Sequence, residues 1–388
     1  MFKGYTTMKK KAILSISHTS YINNVGGMEK VILEQSDIAN KNDYSFIAIF
    51  PKCDALKLKR HVICRKFNTY AVHINKEEET LMSQEDLQKM LLSYNIQKIF
   101  IHSLISYPIR QIINLINHFS DSSLFFYVHD YKSICDGHNL LKNKSRYCGD
   151  SGLSITKCYN CRFYIPGLIS SHNYRLFISS FPHMKFIFPS DIAKNIWKRT
   201  YNTIKEERLI VLPHQRFSAS TIKYDRNEKL KLAYIGYKSF NKGWDSFRKL
   251  VNHIITNNID VDLYVLGKTD EHLPNVTEVE VSFQKDGANA MVKAIRNYKI
   301  DIAFLWSPWP ETYSYTFFES YVGGSFILTN KDSGNISVCT EKYDCGKVFS
   351  NDDDLIRFFD DRSNLEFIRK YIAERPSELF FNQDFINL

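Results

Sequence analysis

The sequence predicts an α/β protein made of two doubly wound parallel-sheet domains that face each other across a cleft. Three observations carry this prediction. The chain has 388 residues, enough for two ordinary domains. Short apolar runs alternate with helical stretches, and the alternation runs through twice. A polar stretch at 216–228 separates the two rounds.

In the first round, residues 11–17 read as strand, 28–39 as an amphipathic helix and 44–50 as strand. A helix at 83–93 precedes a strand at 98–102, and a helix at 107–119 precedes a strand at 124–129. Strand 184–188, helix 191–199 and strand 209–212 close that round. The second round has strands at 230–235, 262–266, 301–306 and 326–329, with helices at 243–256, 288–298 and 314–322. Apolar strands separated by helices mark parallel sheets covered on both faces. The expected organisation is a domain over 1–215 with a cysteine-bearing insert at 131–165, a linker at 216–228, and a second domain over 229–375. Residues 376–388 are expected to pack back on the first domain. Ligands of such open sheets sit outside the carboxyl ends of the strands, so the cleft is the expected site.

The net charge of +9 is uneven. Residues 1–200 hold 27 Lys and Arg against 15 Asp and Glu, and residues 201–388 hold the other 24 against 27. The first half therefore suits an anionic partner, such as an acidic membrane surface, a phosphorylated lipid carrier or nucleic acid. The absence of a dense Lys/Arg block or nucleic-acid motif ranks nucleic acid last, and none is expected. No apolar run approaches the roughly 18–20 residues that span a bilayer. The run after Lys9, Lys10 and Lys11 is too short for a signal peptide and reads as the first strand. A cytoplasmic protein is expected, at the inner face of the cell membrane, with its eight cysteines outside disulfides.

The segment Trp306-Ser-Pro-Trp-Pro-Glu-Thr-Tyr-Ser-Tyr-Thr-Phe-Phe-Glu319 follows a strand. Pro308 and Pro310 forbid regular structure before Glu311, Ser314 is a natural helix N-cap, and Gly323 and Gly324 end the helix. The helix start offers free N–H groups and a positive dipole end, which suit a diphosphate. Either glutamate alone also fits a solvent-exposed residue of an ordinary βα unit.

The spacing of Glu311 and Glu319, the Ser-Tyr-Thr between them and the Gly-Gly after them resemble the donor motif of glycosyltransferase family four. Val25-Gly-Gly-Met-Glu29 is similar to that family's N-terminal glycine loop. The segment from Tyr234 to Gly243 resembles its Gly-Arg…Lys-Gly opening of the second domain, Leu263-Tyr-Val-Leu-Gly267 its next strand, and Asp332-Ser-Gly-Asn335 its later loop. The resemblance covers most of the chain, in order. It implies the GT-B fold, two Rossmann-like domains around a cleft, with retention of anomeric configuration and catalysis independent of a divalent cation.

It also implies roles. Glu319 would accept from the ribose hydroxyls and Glu311 would hold hydroxyls of the donor sugar. Lys242 would neutralise the leaving diphosphate, helped by the amides of Ser314, Tyr315 and Thr316. Gly26 and Gly27 would let the backbone approach the phosphates. Tyr237 stands where the family has Arg; either Lys238 beside it substitutes, or diphosphate stabilisation is weaker. His129 ends a strand, where a lone histidine is often structural but where the family has an active-site His near the reacting sugar.

Cys135, Cys148, Cys158 and Cys161, the last two in a C-x2-C pair, are a candidate structural zinc set; coincidental thiols or a redox pair fit as well. Cys53, Cys64, Cys339 and Cys345 read as ordinary thiols. Asp260-Val-Asp262 reads as a strand lead-in, and Asp352–Asp354 as a helix start, not as metal-bound donor motifs. The expected function is a hexosyl-type transfer from a nucleoside diphosphate sugar to a glycan or polyprenyl-diphosphate-linked acceptor, in bacterial surface polysaccharide synthesis of the O-antigen type. Peripheral contact with the acidic membrane would run through the helix at 107–119, whose apolar residues fit the core equally well. A sugar-nucleotide 2-epimerase of the same fold and a non-catalytic sugar-nucleotide-binding subunit stay open.

Overall fold

The computed structural model describes residues 9–24, 26–58, 61–149 and 152–388, without the side chains at 53–58, 61–68 and 284. Val25 and the side chains of Cys53 and Cys64 therefore lie outside the described residues.

The first domain carries an eight-stranded sheet. Its order is Leu209–Val211, Lys185–Phe188, Ser123–Tyr127, Asn95–Ile101, Lys11–Ile16, Ser45–Leu58, His61–Ile74, Thr80–Met82. The strands from Leu209–Val211 through Ser45–Leu58 are mutually parallel, and the last two are antiparallel additions. Apolar residues on both faces explain the central strand. Leu14 and Ile16 enter one core, and Ile13 enters the other with Phe46, Phe100 and Phe125.

The second domain is a six-stranded, all-parallel sheet. Its order is Val276–Val279, Val261–Leu266, Leu230–Ile235, Ile302–Phe304, Phe326–Asn330, Gly346–Phe349, which is the Rossmann order. The order reverses between Leu230–Ile235 and Ile302–Phe304, so the binding crevice belongs outside those two carboxyl ends. In the first domain it reverses between Lys11–Ile16 and Asn95–Ile101. Asp352–Asp354 form the first turn of the helix Asp352–Asp360, capped by Asn351.

Three segments depart from the sequence reading. The strand expected at 44–50 runs on to Leu58 and turns back as His61–Ile74. A helix at Tyr164–Ser180 follows the cysteines. The polar stretch after Gln215 is not bare linker: Gln215–Phe217 pairs with Leu379–Phe381, and Thr221–Tyr224 pairs with Ala373–Pro376. Beyond that pairing Phe385 is buried in the first domain's core, and Lys98 Nζ donates to the Ile386 carbonyl. The helix at 107–119 is Ile109–Asn117, and Ile109, Ile112, Leu115 and Ile116 all face the core rather than solvent. Among the described residues no helix is long and apolar enough to cross a membrane.

Candidate active site

The two switch points face each other across the cleft, and charged side chains line the second domain's wall. Glu311 sits in the irregular stretch after Ile302–Phe304, its backbone held by Asn335 N donating to its carbonyl at 2.9 Å. The side chain is 1 % exposed, and both its oxygens accept from Lys242 Nζ, at 2.7 and 2.9 Å. A carboxylate so deeply placed needs this counter-charge. Lys242 reaches it because Gly243, at φ 78°, lies against Trp306; a Cβ there would stand 2.0 Å from the Trp306 carbonyl oxygen.

Glu319 lies on the helix Tyr315–Val322 and is also buried. Ser314 caps that helix by accepting from Phe317 N at 3.3 Å. The Tyr315 and Thr316 amides belong to its first turn, which the helix cannot satisfy itself. Glu319 accepts from Lys30 Nζ at 3.2 Å, a contact from the other domain. The same ammonium stands 4.3 Å from the Tyr315 ring centre and 4.8 Å from that of Phe283. Gly26 caps the helix Gly27–Lys41, and Gly27 faces the Tyr315 ring.

The first domain's wall is built from histidines. His18, His102, His129 and His214 each follow the carboxyl end of a parallel strand of one sheet. His102 Nδ1 and His129 Nε2 share a hydrogen bond of 2.8 Å, and both rings stack with Tyr127. Burial, with His18 nearby, holds His129 down at about 3, although the residue is only half-buried and lines the cleft. Burial first, then the neighbouring histidines, pushes His102 and His214 well below the ordinary imidazole value. His18 is lowered too, by burial, against the opposing pull of Glu29 and Asp130. This wall is therefore neutral at neutral pH. Among the described residues, His18 Nδ1 and His102 Nε2 are buried without hydrogen-bond partners.

Two cavities fill the cleft. One, about 450 Å³, is lined by His18, His102, His129, Trp309, Lys242 and Glu311. The other, about 370 Å³, is lined by Gly26, Lys30, Lys268, Phe283, Thr316 and Glu319. Gly27, Glu29 and Tyr237 line both, so the two are adjacent. A further cavity lies among Ser122, Ser123, Met184 and Lys185, at the amino ends of the strands, where such sheets do not bind ligands. Thr312 closes the domains together: its Oγ1 donates to the His129 carbonyl at 2.6 Å, and its own carbonyl accepts from Ser190 Oγ at 2.7 Å.

His129, Lys242, Glu311, Gly26, Gly27, Tyr315, Thr316 and Glu319 thus meet in the cleft, with Ser314 beneath them as the cap. Lys238 is drawn elsewhere: its ammonium pairs with Asp270 at 2.8 Å and Glu271 at 3.0 Å. Lys268 lines the cleft instead. Sequence reasoning missed Lys30, Lys268, His18, His102 and His214. The strand-end argument that found His129 would have found His18 and His102; Lys30 had no local signal, because its partner is 289 residues away. Cys135, Cys148, Cys158 and Cys161 line one small cavity as free thiols. Among the described residues, no group of three or more His, Cys, Asp or Glu is arranged to hold a metal ion.

No family model and no curated sequence matches the chain. Solved structures do. A glycosyltransferase from Rickettsia africae aligns over 93% of this chain and 91% of its own, at 12% identity and TM-score 0.56. A sucrose-phosphate synthase from Thermosynechococcus elongatus aligns over 93% and 92%, at 11% identity and TM-score 0.56. HepE from Anabaena, solved with UDP-glucose, aligns over 93% and 91%, at 9% identity and TM-score 0.52. The fold is GT-B. In GT-B terms, the cleft just described is the interdomain crevice, with its charged wall on the second Rossmann-like domain and its histidine wall on the first.

Proposed function

We propose that this chain is a retaining glycosyltransferase that moves a sugar from a nucleoside diphosphate sugar to a glycan or polyprenyl-diphosphate-linked acceptor. The observation that carries it is the adjacent pair of cavities, with Glu319 in one, Glu311, Lys242 and His129 in the other, and Gly27, Glu29 and Tyr237 between them. The nucleoside would occupy the Glu319 cavity, its ribose hydroxyls donating to that carboxylate. The sugar would occupy the Glu311 cavity. The diphosphate would then lie at the junction, near the Thr316 helix start and Lys242. As the glycosidic bond breaks, negative charge grows on the diphosphate; fixed amides and an ammonium placed there lower the barrier. Lys242 also neutralises Glu311, so sugar hydroxyls would share that carboxylate with it. The neutral His129 would position hydroxyls of donor or acceptor rather than carry a charge. GT-B neighbours solved with a nucleotide sugar, such as HepE with UDP-glucose, support the donor class.

Bacterial surface polysaccharide assembly at an acidic membrane surface is the setting that best fits the basic first half. Thermal shift with UDP, GDP, dTDP, CMP and ADP sugars should single out one donor by raising the melting temperature. That donor should hydrolyse slowly without acceptor. Epimer formation without acceptor would instead make the protein an isomerase, and binding without turnover on any acceptor would make it a binding subunit. A structural zinc on Cys135, Cys148, Cys158 and Cys161 is a separate proposal: the four line one cavity, and binding would need them to draw closer, since no three of them are placed to hold a metal. Metal analysis should find one zinc per chain, and a ratio near zero removes the idea.

A further inference from the structure

The first turns of the helix Tyr164–Ser180 are apolar on both sides, and the protein covers only one. Gly167, Tyr174, Phe177 and Ile178 are buried, and Tyr174, Phe177 and Ile178 join the first domain's core. On the opposite side Ile165, Leu168 and Ile169 recur one turn apart and face solvent, with Ile155 and Tyr159 just ahead of them. These five side chains are 45% to 75% exposed. An apolar helix left half uncovered is a contact surface.

The rim of this patch is basic. Residues 137–180 hold six Lys or Arg (Lys142, Lys144, Arg146, Lys157, Arg162, Arg175) against one acidic residue, Asp150. The short hairpin that carries the first three is tied to the turn before the helix. Lys142 Nζ donates to the Lys157 carbonyl at 2.9 Å, Asn143 Nδ2 to the Asn160 carbonyl at 3.0 Å, and Arg162 N to Asn143 Oδ1 at 2.9 Å. Cations and apolar side chains therefore belong to one folded unit.

That unit borders the cleft. His138 and Asn139, just before the hairpin, and Tyr174, on the helix itself, line the cavity that holds His129 and Glu311.

We propose that the hairpin 141–147 and the helix Tyr164–Ser180 dock on an anionic lipid bilayer, seating Ile165, Leu168 and Ile169 at the headgroup boundary with the basic rim against acidic headgroups. Apolar side chains ringed by Lys and Arg match both halves of such a surface. A second copy of the chain matches less well, since a two-fold contact through this patch would set the basic rim against itself. The inference rests on the lipid-linked acceptor reading above and adds where the bilayer lies: beside the His129 end of the cleft, where a membrane-anchored acceptor would enter.

The test is sedimentation of the full chain with phosphatidylcholine vesicles, with and without phosphatidylglycerol. The chain should bind the phosphatidylglycerol vesicles and leave the others. Lys144→Glu with Arg162→Glu should weaken binding by about fivefold or more per cation. Ile165→Ser with Ile169→Ser should weaken it about tenfold or more. Tyr159→Trp, which keeps the surface intact, should shift its emission to the blue when phosphatidylglycerol vesicles are added. Equal binding to both vesicle types, unchanged binding in both double variants, or no spectral shift would each overturn the proposal. So would a serine variant that turned a dimer into a monomer on size exclusion while still binding vesicles. Donor-induced thermal shift in the same preparations separates the two readings. Lost vesicle binding with donor binding intact leaves the transferase reading standing, whereas vesicle binding with no response to any nucleotide sugar leaves only the docking surface.

Discussion

The two walls of the cleft solve the same problem in opposite ways. Both bury polar groups beside a space meant for a ligand. The second domain buries carboxylates and gives each a lysine, Glu311 to Lys242 and Glu319 to Lys30. The first domain buries histidines and keeps them uncharged. A charged, paired wall can trade its partners for phosphates and sugar hydroxyls. A neutral wall can orient an acceptor without competing for that charge. The pairing also crosses between walls, because Lys30 belongs to the first domain.

The sharpest way to break the comparison is Lys242→Met. It would leave the Glu311 carboxylate buried without a partner, and urea unfolding should show a loss of about 3–5 kcal/mol. Adding Glu311→Gln should restore most of that stability and none of the turnover. If Lys242→Met unfolds like the parent, the second wall does not depend on charge pairing. On the other wall, His129→Ala should lower turnover about a hundredfold. Nucleotide binding by thermal shift should stay as it was, and an unchanged rate would take His129 out of the chemistry.

The neutrality of the first wall has a pH signature. His129, held at about 3, would take its proton near 6.5 once unfolded. Between those values the unfolded chain binds more protons, so stability falls as pH drops below about 6.5, by up to about 1.4 kcal/mol per pH unit for each such histidine. His102 and His214 act in the same direction, and above about 6.5 none of them contributes a slope. Denaturation curves at stepped pH should show a shallower acid slope for His129→Asn; equal slopes would mean the ring is already charged. Lys30→Met should weaken donor binding by roughly tenfold, measured by titration calorimetry, since it removes one charge-assisted contact at Glu319. The smallest effect expected is from Tyr237→Arg. Tyr237 is exposed at the junction of the cavities, and a guanidinium there should tighten a diphosphate by roughly threefold. No gain would place the diphosphate elsewhere.

Much of the second domain was readable in advance. Leu230–Ile235 is an apolar strand interrupted only by Lys231, with a polar stretch before it and Gly236 after it, and its bounds agree with the sequence reading to the residue. Ser314 as cap and Gly323 and Gly324 as the stop follow from local backbone chemistry alone. The hairpin beyond Phe50 was hidden because its sequence mixes Lys, His and Cys with apolar residues and offers no Asn-Gly type turn. Tyr164–Ser180 was hidden for another reason. Apolar residues all round give no 3.6-residue period, and Pro166 and Gly167 near its start look like breakers although a first turn tolerates proline. At the site, motif residues were found because each sits beside a strand end or helix start. What could not be read was who pairs with whom. Lys238 belongs to Asp270 and Glu271, from a separate loop, and Lys30 belongs to Glu319, from a separate domain.

The chain passes between the two domains twice, once outward through Gln215–Phe217 and Thr221–Tyr224, and once back through Ala373–Pro376 and Leu379–Phe381. The two passes are stitched together by backbone hydrogen bonds, and Phe385 is anchored on arrival. A single tether would let the domains tumble independently. A paired ribbon resists twisting and sliding more than a single strand would, and the bonds from Thr312 and Lys30 add to that restraint across the cleft. The alignment of the two cleft walls is therefore set by this strap of short strands together with the contacts between the walls themselves.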